Sequence, residues 1–412
     1  MITYNSFKLD NGLTIIVHED PSTPMAVLNI LYNVGARDEE PGQTGFAHLF
    51  EHLMFGGSVN IPDFDSPLQR AGGENNAFTN NDITNYYDIL PAMNLETAFW
   101  LESDRMMSLA FSQRSLDVQK KVVIEEFKER YLNQPYGNVW HKLRELAYKV
   151  HPYKWPTIGQ NMEQIEKVNL DQVKNFFDRY YCPKNAIMVV AGGVKTEDIK
   201  TMSEKWFGEI PAGDELARDI PKEPEQTEKR EMTVHENVPL NMIYKSYHMS
   251  DRLDFNYYVA DFISDILSGS NSSRLYKELV KEKKYFSDID AYITGSLDAG
   301  LVVVEGRIME GVDPEVADKA IEEELEKLQN TRVTTEELQK IKNKAESFIL
   351  FSETNNMHKA LGLAFGELLG DPDMVNHEIE KYNQISQENI LNESQKLFHS
   401  NNLSTLYYLS NN

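Results

Sequence analysis

Two histidines and a glutamate, His48, Glu51 and His52, fall within five positions of the apolar stretch HLFEHLMFGG. If this stretch is helical, positions i and i+4 lie on one face, so the two imidazoles project from it one turn apart. Two neutral imidazoles placed in this way can bind one Zn²⁺, and a glutamate beside them that is not a ligand can accept a proton from water. Two hydrogen-bonded histidines on a buried helix would show the same spacing, so the triplet alone leaves both interpretations open.

A catalytic zinc ion usually takes three protein ligands, and a predicted helix with the sequence VVIEEF offers candidates for the third. Glu125, Glu126 and Glu129 lie on or just after this stretch. Helical geometry places Glu126 among valines, while the other two carboxylates lie toward the charged side. The pattern favours Glu126 as the third ligand, although each glutamate taken alone also fits a solvated acidic face.

The elements that position these residues follow from the order of the patterns. Short strands with β-branched residues alternate with amphipathic helices, and the first strands read as a hairpin around the turn DNG. This order predicts an α+β protein made of two homologous domains of about 200 residues, each an antiparallel-rich sheet packed against helices. The polar, proline-containing stretch near the middle predicts a linker over 213–231. It separates a domain over 1–212, which holds the candidate zinc-binding and catalytic residues, from a homologous non-metal domain over 232–412.

A comparison within the chain bears on the histidines. The helical stretch AHLFEHLMFGG aligns with ADFISDILSGS in the second half, where Asp261, Ser264 and Asp265 take the places of the two histidines and the glutamate. The second helix therefore keeps its apolar spacing without either imidazole. Because the fold does not require the imidazoles in the second copy, the comparison favours a functional role for them in the first.

Composition excludes some classes of function. The net charge of −24 argues against nucleic acid, whose phosphates would be repelled. No stretch is apolar over the roughly 20 residues that a membrane span needs, and the first residues lack the pattern of a signal peptide. A single cysteine, Cys182, fits a reducing compartment. We therefore expect a cytoplasmic protein, or a periplasmic one if a leader precedes the sequence given.

The HxxEH triplet, followed by Glu126 in the VVIEEF helix, resembles the inverzincin metallopeptidases of the pitrilysin family. This family includes insulin-degrading enzyme and the β subunit of the mitochondrial processing peptidase. The stretches DNGLTIIVHED, TGFAHLFEHLMFGGS and AGGENNAFTNNDITNYYDIL resemble the opening hairpin, the metal helix and the substrate-side strand of the family. Nearly all of the first half is covered by the resemblance, and the second half is matched by its layout.

The resemblance implies that His48, His52 and Glu126 bind one Zn²⁺ per chain and that Glu51 is the general base. It further implies that the segment Asn76, Ala77 and Phe78 pairs with an extended peptide substrate along an edge strand. Such pairing reads the peptide backbone rather than its sequence. A polar turn leading into a strand is the structural alternative for these three residues.

Two departures from the family pattern concern charge and substrate binding. Gln119 stands where the family often has a second glutamate, seven residues before the metal ligand. The arginine and tyrosine that anchor substrates in the family would fall at Val280 and Ser287, which cannot bind a substrate in that way. Arg274 and Tyr285 are nearby, but Arg274 belongs to the SSRL stretch and is expected to be structural. A chain of this size resembles half of the large single-chain members. We therefore expect a hetero-dimer with a homologous non-metal subunit, with a homo-dimer as the second choice.

The function that these features predict is a zinc-dependent endopeptidase, acting on peptides or small unfolded proteins inside a closed chamber. The alternative is a non-catalytic scaffold or assembly subunit of the same fold, for which a broken HxxEH would be expected. A third interpretation is a metal-binding module without hydrolysis.

Overall fold

The computed structural model describes residues 1–411, which form two sheets packed against helices. This confirms the predicted α+β class with two antiparallel-rich sheets. None of the helices within residues 1–411 combines the length and the apolar content of a membrane span. The strands are β1 (Asn5–Lys8), β2 (Thr14–Glu19), β3 (Met25–Tyr32), β4 (Glu74–Thr79), β5 (Thr84–Pro91), β6 (Ala186–Gly192), β7 (Arg230–Glu236), β8 (Met242–His248), β9 (Phe286–Ile293), β10 (Leu301–Ile308) and β11 (Leu403–Ser410).

The helices lie between these strands along the chain. They are α1 (Phe46–Met54), α2 (Asp65–Arg70), α3 (Glu96–Met107), α4 (Gln113–Phe127), α5 (Val139–Ala147), α6 (Met162–Glu166), α7 (Leu170–Tyr180), α8 (Thr196–Phe207), α9 (Phe255–Ser268), α10 (Pro314–Asn330), α11 (Thr335–Ser352), α12 (Asn356–Leu368), α13 (Met374–Asn383) and α14 (Gln387–Leu397). Two π-helical turns, Lys128–Leu132 and Tyr276–Glu282, add to them.

The two sheets have the same strand order. The first is β1-β2-β6-β3-β5-β4 and the second is β7-β11-β8-β10-β9, so the orders match strand for strand once β1 is set aside. The parallel pairs also correspond, because β2 pairs in parallel with β6 and β7 with β11. The helix after the second matched strand is α1 in one copy and α9 in the other. The shared topology is what a duplicated domain produces.

The compact units of the structure are not continuous along the chain. Each unit takes one segment from the half of the chain that forms the other unit. The first unit comprises 1–127, 156–220 and 349–378, and the second comprises 128–155, 221–348 and 379–411. The linker expected over 213–231 stays a prediction. Residues 211–227 contain neither helix nor strand.

The segment 349–378, which the second half of the chain contributes to the first unit, contains α12. Its residues Met357, Ala360 and Leu363 are buried against Val27 and Val189 on one face of the six-stranded sheet. Since fully burying a large aliphatic side chain stabilises a fold by about 1.5–3 kcal/mol, α12 is an integral part of this core.

The segment 128–155, which the first half of the chain contributes to the second unit, contains α5. Helix α5 covers the sheet of the second unit as α12 covers that of the first. Val139 and Leu143 are buried against Tyr244 and Val303 on one face of the five-stranded sheet. The opposite face of that sheet packs against α9, α10 and α14, where Phe262 and Ile321 lie. The exchange is thus reciprocal, with one covering helix contributed by each half.

Candidate metal centre and active site

Helix α1 is held in place by its apolar side. Leu49, Phe50 and Leu53 follow the i, i+1, i+4 spacing of a buried stripe, and each is at most 5% exposed. The Phe50 ring lies 4.5 Å from the ring of Tyr181 and 5.3 Å from that of Phe176, measured between centroids. Because this side is packed, the orientation of the polar arc of the helix is fixed as well.

The start of α1 is held by a buried carboxylate. Gly45 precedes the helix with φ of +86°, in the left-handed region that glycine adopts without strain. The Glu39 carboxylate accepts the backbone N–H of Gly45 and that of Ala47, both at 2.9 Å. Burial raises the pKa of Glu39 to about 8, while the hydrogen bonds from the amides act in the opposite direction.

The structure brings together His48, His52 and Glu126. One potential ligand atom from each lies within 4.8 Å of the others. The distance from Nε2 to the carboxylate oxygen Oε2 of Glu126 is 3.8 Å for His48 and 3.4 Å for His52. The two imidazole rings are 4.9 Å apart between centroids and nearly perpendicular. No other group of three such side chains within residues 1–411 is arranged to hold a metal ion.

The donor set fits zinc. Two imidazole nitrogens and one carboxylate oxygen are the ligands that zinc takes in catalytic sites, with a further position left open. Bonds of about 2.0–2.1 Å in a tetrahedral arrangement separate ligand atoms by roughly 3.3 Å, close to the 3.4 and 3.8 Å observed. The neighbouring Glu125 is exposed, whereas Glu126 is half-buried and faces α1.

Glu51 lies beside this set and is held by a strand. The Thr79 hydroxyl donates a hydrogen bond to Oε2 of Glu51 at 2.6 Å. Burial raises the pKa of Glu51 above its ordinary value, as does the nearby Glu126, whereas the Thr79 hydrogen bond and His52 lower it. A bound dication would also lower this pKa. The arrangement offers a carboxylate that can exchange a proton next to three side chains that could hold a metal ion.

Strand β4 carries the residues predicted to bind substrate. It lies at the edge of the six-stranded sheet and pairs with β5 alone. Because side chains alternate along a strand, Ala77 shares the face of Thr79, and Asn76 and Phe78 lie on the other face. Phe78 packs against the cluster that contains α12. The backbone of this segment, rather than all three side chains, is therefore near Glu51.

In α9, the counterpart of α1 in the second unit, the residues aligned with the histidines and the glutamate make structural contacts. On α9, Asp261 accepts a hydrogen bond from the Tyr382 hydroxyl at 2.6 Å, and Asp265 pairs with Lys344 at 2.7 Å. The Ser264 hydroxyl donates to the backbone oxygen of Asp261. These residues therefore stabilise the packing of α9 in the second unit.

Residues near the expected substrate-anchoring positions are structural too. Arg274 forms a two-pronged pair with Glu337, with N···O distances of 2.9 and 2.8 Å. Val280 and Tyr285 pack against the core of the second unit. Ser287 is exposed on β9 and donates to the carboxylate of the next residue.

The sequence analysis missed Glu39 and Thr79. An acidic residue shortly before a helix is a signal for a helix start. Glu39 lies six residues before Gly45, however, so no fixed-spacing motif selects it. Thr79 directly follows the Asn76–Phe78 segment, but its contact with Glu51 depends on tertiary packing, which no local pattern reports.

A duplicated α+β fold with an HxxEH helix and a distant glutamate in its first copy defines the class of inverzincin-type peptidases. Two family models match the chain: "Insulinase (Peptidase family M16)" over residues 14–161 and "Peptidase M16 inactive domain" over residues 167–345. The chain is 32% identical to the zinc protease PqqE of Helicobacter pylori, over 86% of this chain and 81% of that protein. The chain belongs to peptidase family M16.

Two further comparisons agree with this family. The crystal structure of a protease from Helicobacter pylori superimposes with a TM-score of 0.93 at 28% identity, covering 99% of this chain and 100% of that one. The β subunit of the mitochondrial processing peptidase of Saccharomyces cerevisiae is 27% identical over 50% of this chain and 44% of its own length. The predicted family is thus confirmed.

Proposed function

We propose that this protein is a zinc-dependent endopeptidase in which His48, His52 and Glu126 bind one Zn²⁺ and Glu51 is the general base. The observation that carries the proposal is the convergence of three ligand atoms within 4.8 Å, next to a glutamate that is held in place by a hydrogen bond. Relatives that are named zinc proteases support it.

The roles of the residues follow from their chemistry. Zinc in such a set acts as a Lewis acid and favours the ionisation of water. Glu51, which is not in the ligand set, would accept a proton from the attacking water and pass it to the leaving amine. Both transfers need a carboxylate of fixed orientation within hydrogen-bonding reach of the reacting atoms.

Strand β4 supports the proposed binding of an extended peptide. The backbone N–H of Asn80 donates to the backbone oxygen of Ile83 at 3.0 Å, so these two residues form a hydrogen-bonded pair at the end of the ladder between β4 and β5. Since hydrogen-bonded and non-hydrogen-bonded pairs alternate in an antiparallel ladder, the backbone groups of Ala77 and Thr79 point to the free edge. The N–H of Ala77 donates to the side-chain oxygen of Asn76 at 2.8 Å. A carbonyl of a paired peptide would replace this oxygen.

A partner subunit completes the proposal. Arg274 is paired with Glu337, and Tyr285 is partly buried against the core, so both side chains already make structural contacts. A homologous non-metal subunit that supplies such groups is the first choice, and a second copy of this chain is the other. Light scattering after size-exclusion chromatography, together with assays with and without a homologous subunit, tests this. Full activity of a monomer would refute the need for a partner.

The proposed chemistry is tested with a quenched peptide library and zinc analysis. Glu51→Gln should keep its zinc and lose roughly 10²–10⁴-fold in turnover, which is the range that general acid–base catalysis contributes. Glu125→Gln, a matched change on the exposed side of α4, should keep both zinc and activity. A chelator should abolish turnover and added zinc should restore it.

Two outcomes would change the conclusion. If Glu51→Gln stays fully active, the assignment of the base is wrong. If the chain binds little zinc and cleaves no peptide, alone or with a homologous subunit, it is a non-catalytic scaffold of the same fold. A cytoplasmic location is part of the proposal, and fractionation of cells that carry a tagged chain tests it.

A further inference from the structure

Thr79 occupies a particular place between the edge strand and the proposed base. It is the last residue of β4, and its backbone N–H, on the edge of β4 away from β5, also interacts with the Glu51 carboxylate. Its side chain lies on the face of α1, where Oγ1 is 2.6 Å from Oε2 of Glu51. One residue therefore contacts the base with its side chain and borders the peptide-binding edge with its backbone.

The Thr79 hydroxyl has one hydrogen to donate and two oxygens within reach. The Glu51 oxygen is at 2.6 Å, and the hydroxyl oxygen of Thr84 is at 3.5 Å. Thr84 is fully buried and donates its own hydrogen to the backbone oxygen of Val34 at 2.9 Å. Since a hydrogen bond to a carboxylate is shorter and stronger than one between neutral groups, the Thr79 proton points to Glu51.

The geometry of a strand makes this contact a rigid one. A β-branched side chain has few accessible χ1 rotamers, and the ladder with β5 fixes the backbone of Thr79. On the other side, Glu51 is fixed to a helix whose apolar face is buried. The hydrogen bond thus removes the rotational freedom that the end of a glutamate side chain would otherwise keep.

We propose that Thr79 is a positioning residue for the hydrolysis, because it fixes the Glu51 carboxylate in the orientation needed for proton transfer and ties it to the strand that binds the peptide. This inference rests on the proposed role of Glu51 as the base. Thr79 itself transfers no proton and binds no metal. It acts on the chemical step through Glu51.

The test compares Thr79→Val, which keeps the branched shape and loses the hydroxyl, with Thr79→Ser, which keeps the hydroxyl. Thr196→Val is the matched control, because the Thr196 hydroxyl also donates to a carboxylate, that of Glu19, at 2.6 Å. Each variant is measured as zinc-loaded full-length chain, with the homologous subunit present if activity requires it. The readouts are kcat, KM, the zinc dissociation constant and, in a Glu51→Gln background, the affinity for an uncleaved peptide.

Thr79→Val should lower kcat by about 10- to 100-fold, the usual effect of losing a residue that orients a catalytic group. KM, the zinc dissociation constant and the peptide affinity should each change by less than about twofold, since none of them depends on how Glu51 is oriented. Thr79→Ser should restore most of kcat, and Thr196→Val should behave as the unmodified chain. When Glu51→Gln is already present, Thr79→Val should slow the residual reaction no further.

The outcomes separate this inference from the proposed function. Full turnover by Glu51→Gln would overturn the proposed function itself. If Glu51→Gln is inactive while Thr79→Val keeps its kcat, the positioning role alone is wrong. The role is also wrong if Thr79→Ser is as slow as Thr79→Val, or if zinc affinity falls together with kcat, because the residue would then serve the local fold.

Discussion

Replacing Glu39 by alanine tests how the helix that carries both histidines is held at its start. The Glu39 carboxylate is 7% exposed and accepts the N–H groups of Gly45 and Ala47, both at 2.9 Å. Glu39→Ala leaves these two buried donors without their acceptor. Since each buried, unsatisfied group costs about 1–3 kcal/mol, the free energy of unfolding should fall by roughly 2–6 kcal/mol.

The size of this effect should depend on pH, because burial raises the pKa of Glu39 from 4.5 to about 8. Below about pH 4.5 the group is protonated in both the folded and the unfolded chain. Between the two pKa values the unfolded chain has released a proton that the folded chain still holds, so the free energy of unfolding falls as pH rises. At 1.36 kcal/mol per pH unit, the part of the free energy of unfolding that depends on the Glu39 proton amounts to about 5 kcal/mol. This part is lost by about pH 8.

Urea titrations followed by circular dichroism at several pH values between 5 and 9 measure this. The difference in stability between the unmodified chain and Glu39→Ala should be largest at pH 5 and should narrow toward pH 8. Glu40→Gln removes an exposed carboxylate next to Glu39 and should stay within about 0.5 kcal/mol of the unmodified chain. If the difference in free energy of unfolding between the unmodified chain and Glu39→Ala is constant or widens as pH rises, the reasoning is refuted. The two amides would then keep Glu39 ionised in the folded state.

Three further changes have expected outcomes. Gly45→Ala should lower the free energy of unfolding by about 1–3 kcal/mol in urea titrations and should weaken zinc binding. The reason is that φ of Gly45 is +86° and that the new Cβ would lie 2.6 Å from the backbone oxygen of Ile158. An unchanged zinc dissociation constant would contradict this. Arg105→Leu should cost about 3–5 kcal/mol, since it removes the cation that pairs with the fully buried Glu102 and also faces the buried Asp88; the double change with Glu102→Leu should recover part of the loss, because Asp88 stays buried. Lys245→Met should cost less than Arg105→Leu in the same titrations. Of the two carboxylates that pair with Lys245, Asp318 keeps the Tyr407 hydroxyl as donor and Glu322 is about half exposed to water; an equal or larger cost would contradict this.

Local patterns were sufficient for much of the fold. The short β-branched and aromatic runs TNYYDIL and LVVVEGRI are typical of strands, and they form β5 and β10. The helix of the two histidines is α1, and the stretch aligned with it is α9. These predictions were correct because hydrophobic periodicity reports which face of an element is buried, and burial decides most of the secondary structure.

The candidate site was only partly readable from sequence. His48 and His52 are one helical turn apart, so their proximity follows from the helix itself. The position of Glu126 beside them depends on how α4 packs against α1, and helical periodicity could only indicate which of three glutamates lies on the apolar side. The contacts of Glu39 and Thr79 join elements that are distant along the chain, and no periodicity encodes such contacts.

The exchange of α5 and α12 between the two units was also outside the reach of the sequence. Both helices are amphipathic, and an amphipathic pattern shows that a face must be buried without showing which sheet buries it. The change from α4 into the π-helical turn at Lys128–Leu132, where the chain leaves the first unit, has no proline or glycine to mark it.

The reciprocal placement of α12 has a consequence for synthesis on the ribosome. The proposed metal ligands and every strand of their sheet are translated by residue 192, but the helix that covers the far face of that sheet begins only at Asn356. During translation of the intervening residues, the nascent first unit exposes Val27, Val189 and their apolar neighbours to solvent. The first unit is therefore completed only after its last segment, 349–378, has been made, so the fold around the proposed metal ligands waits for synthesis of most of the second half.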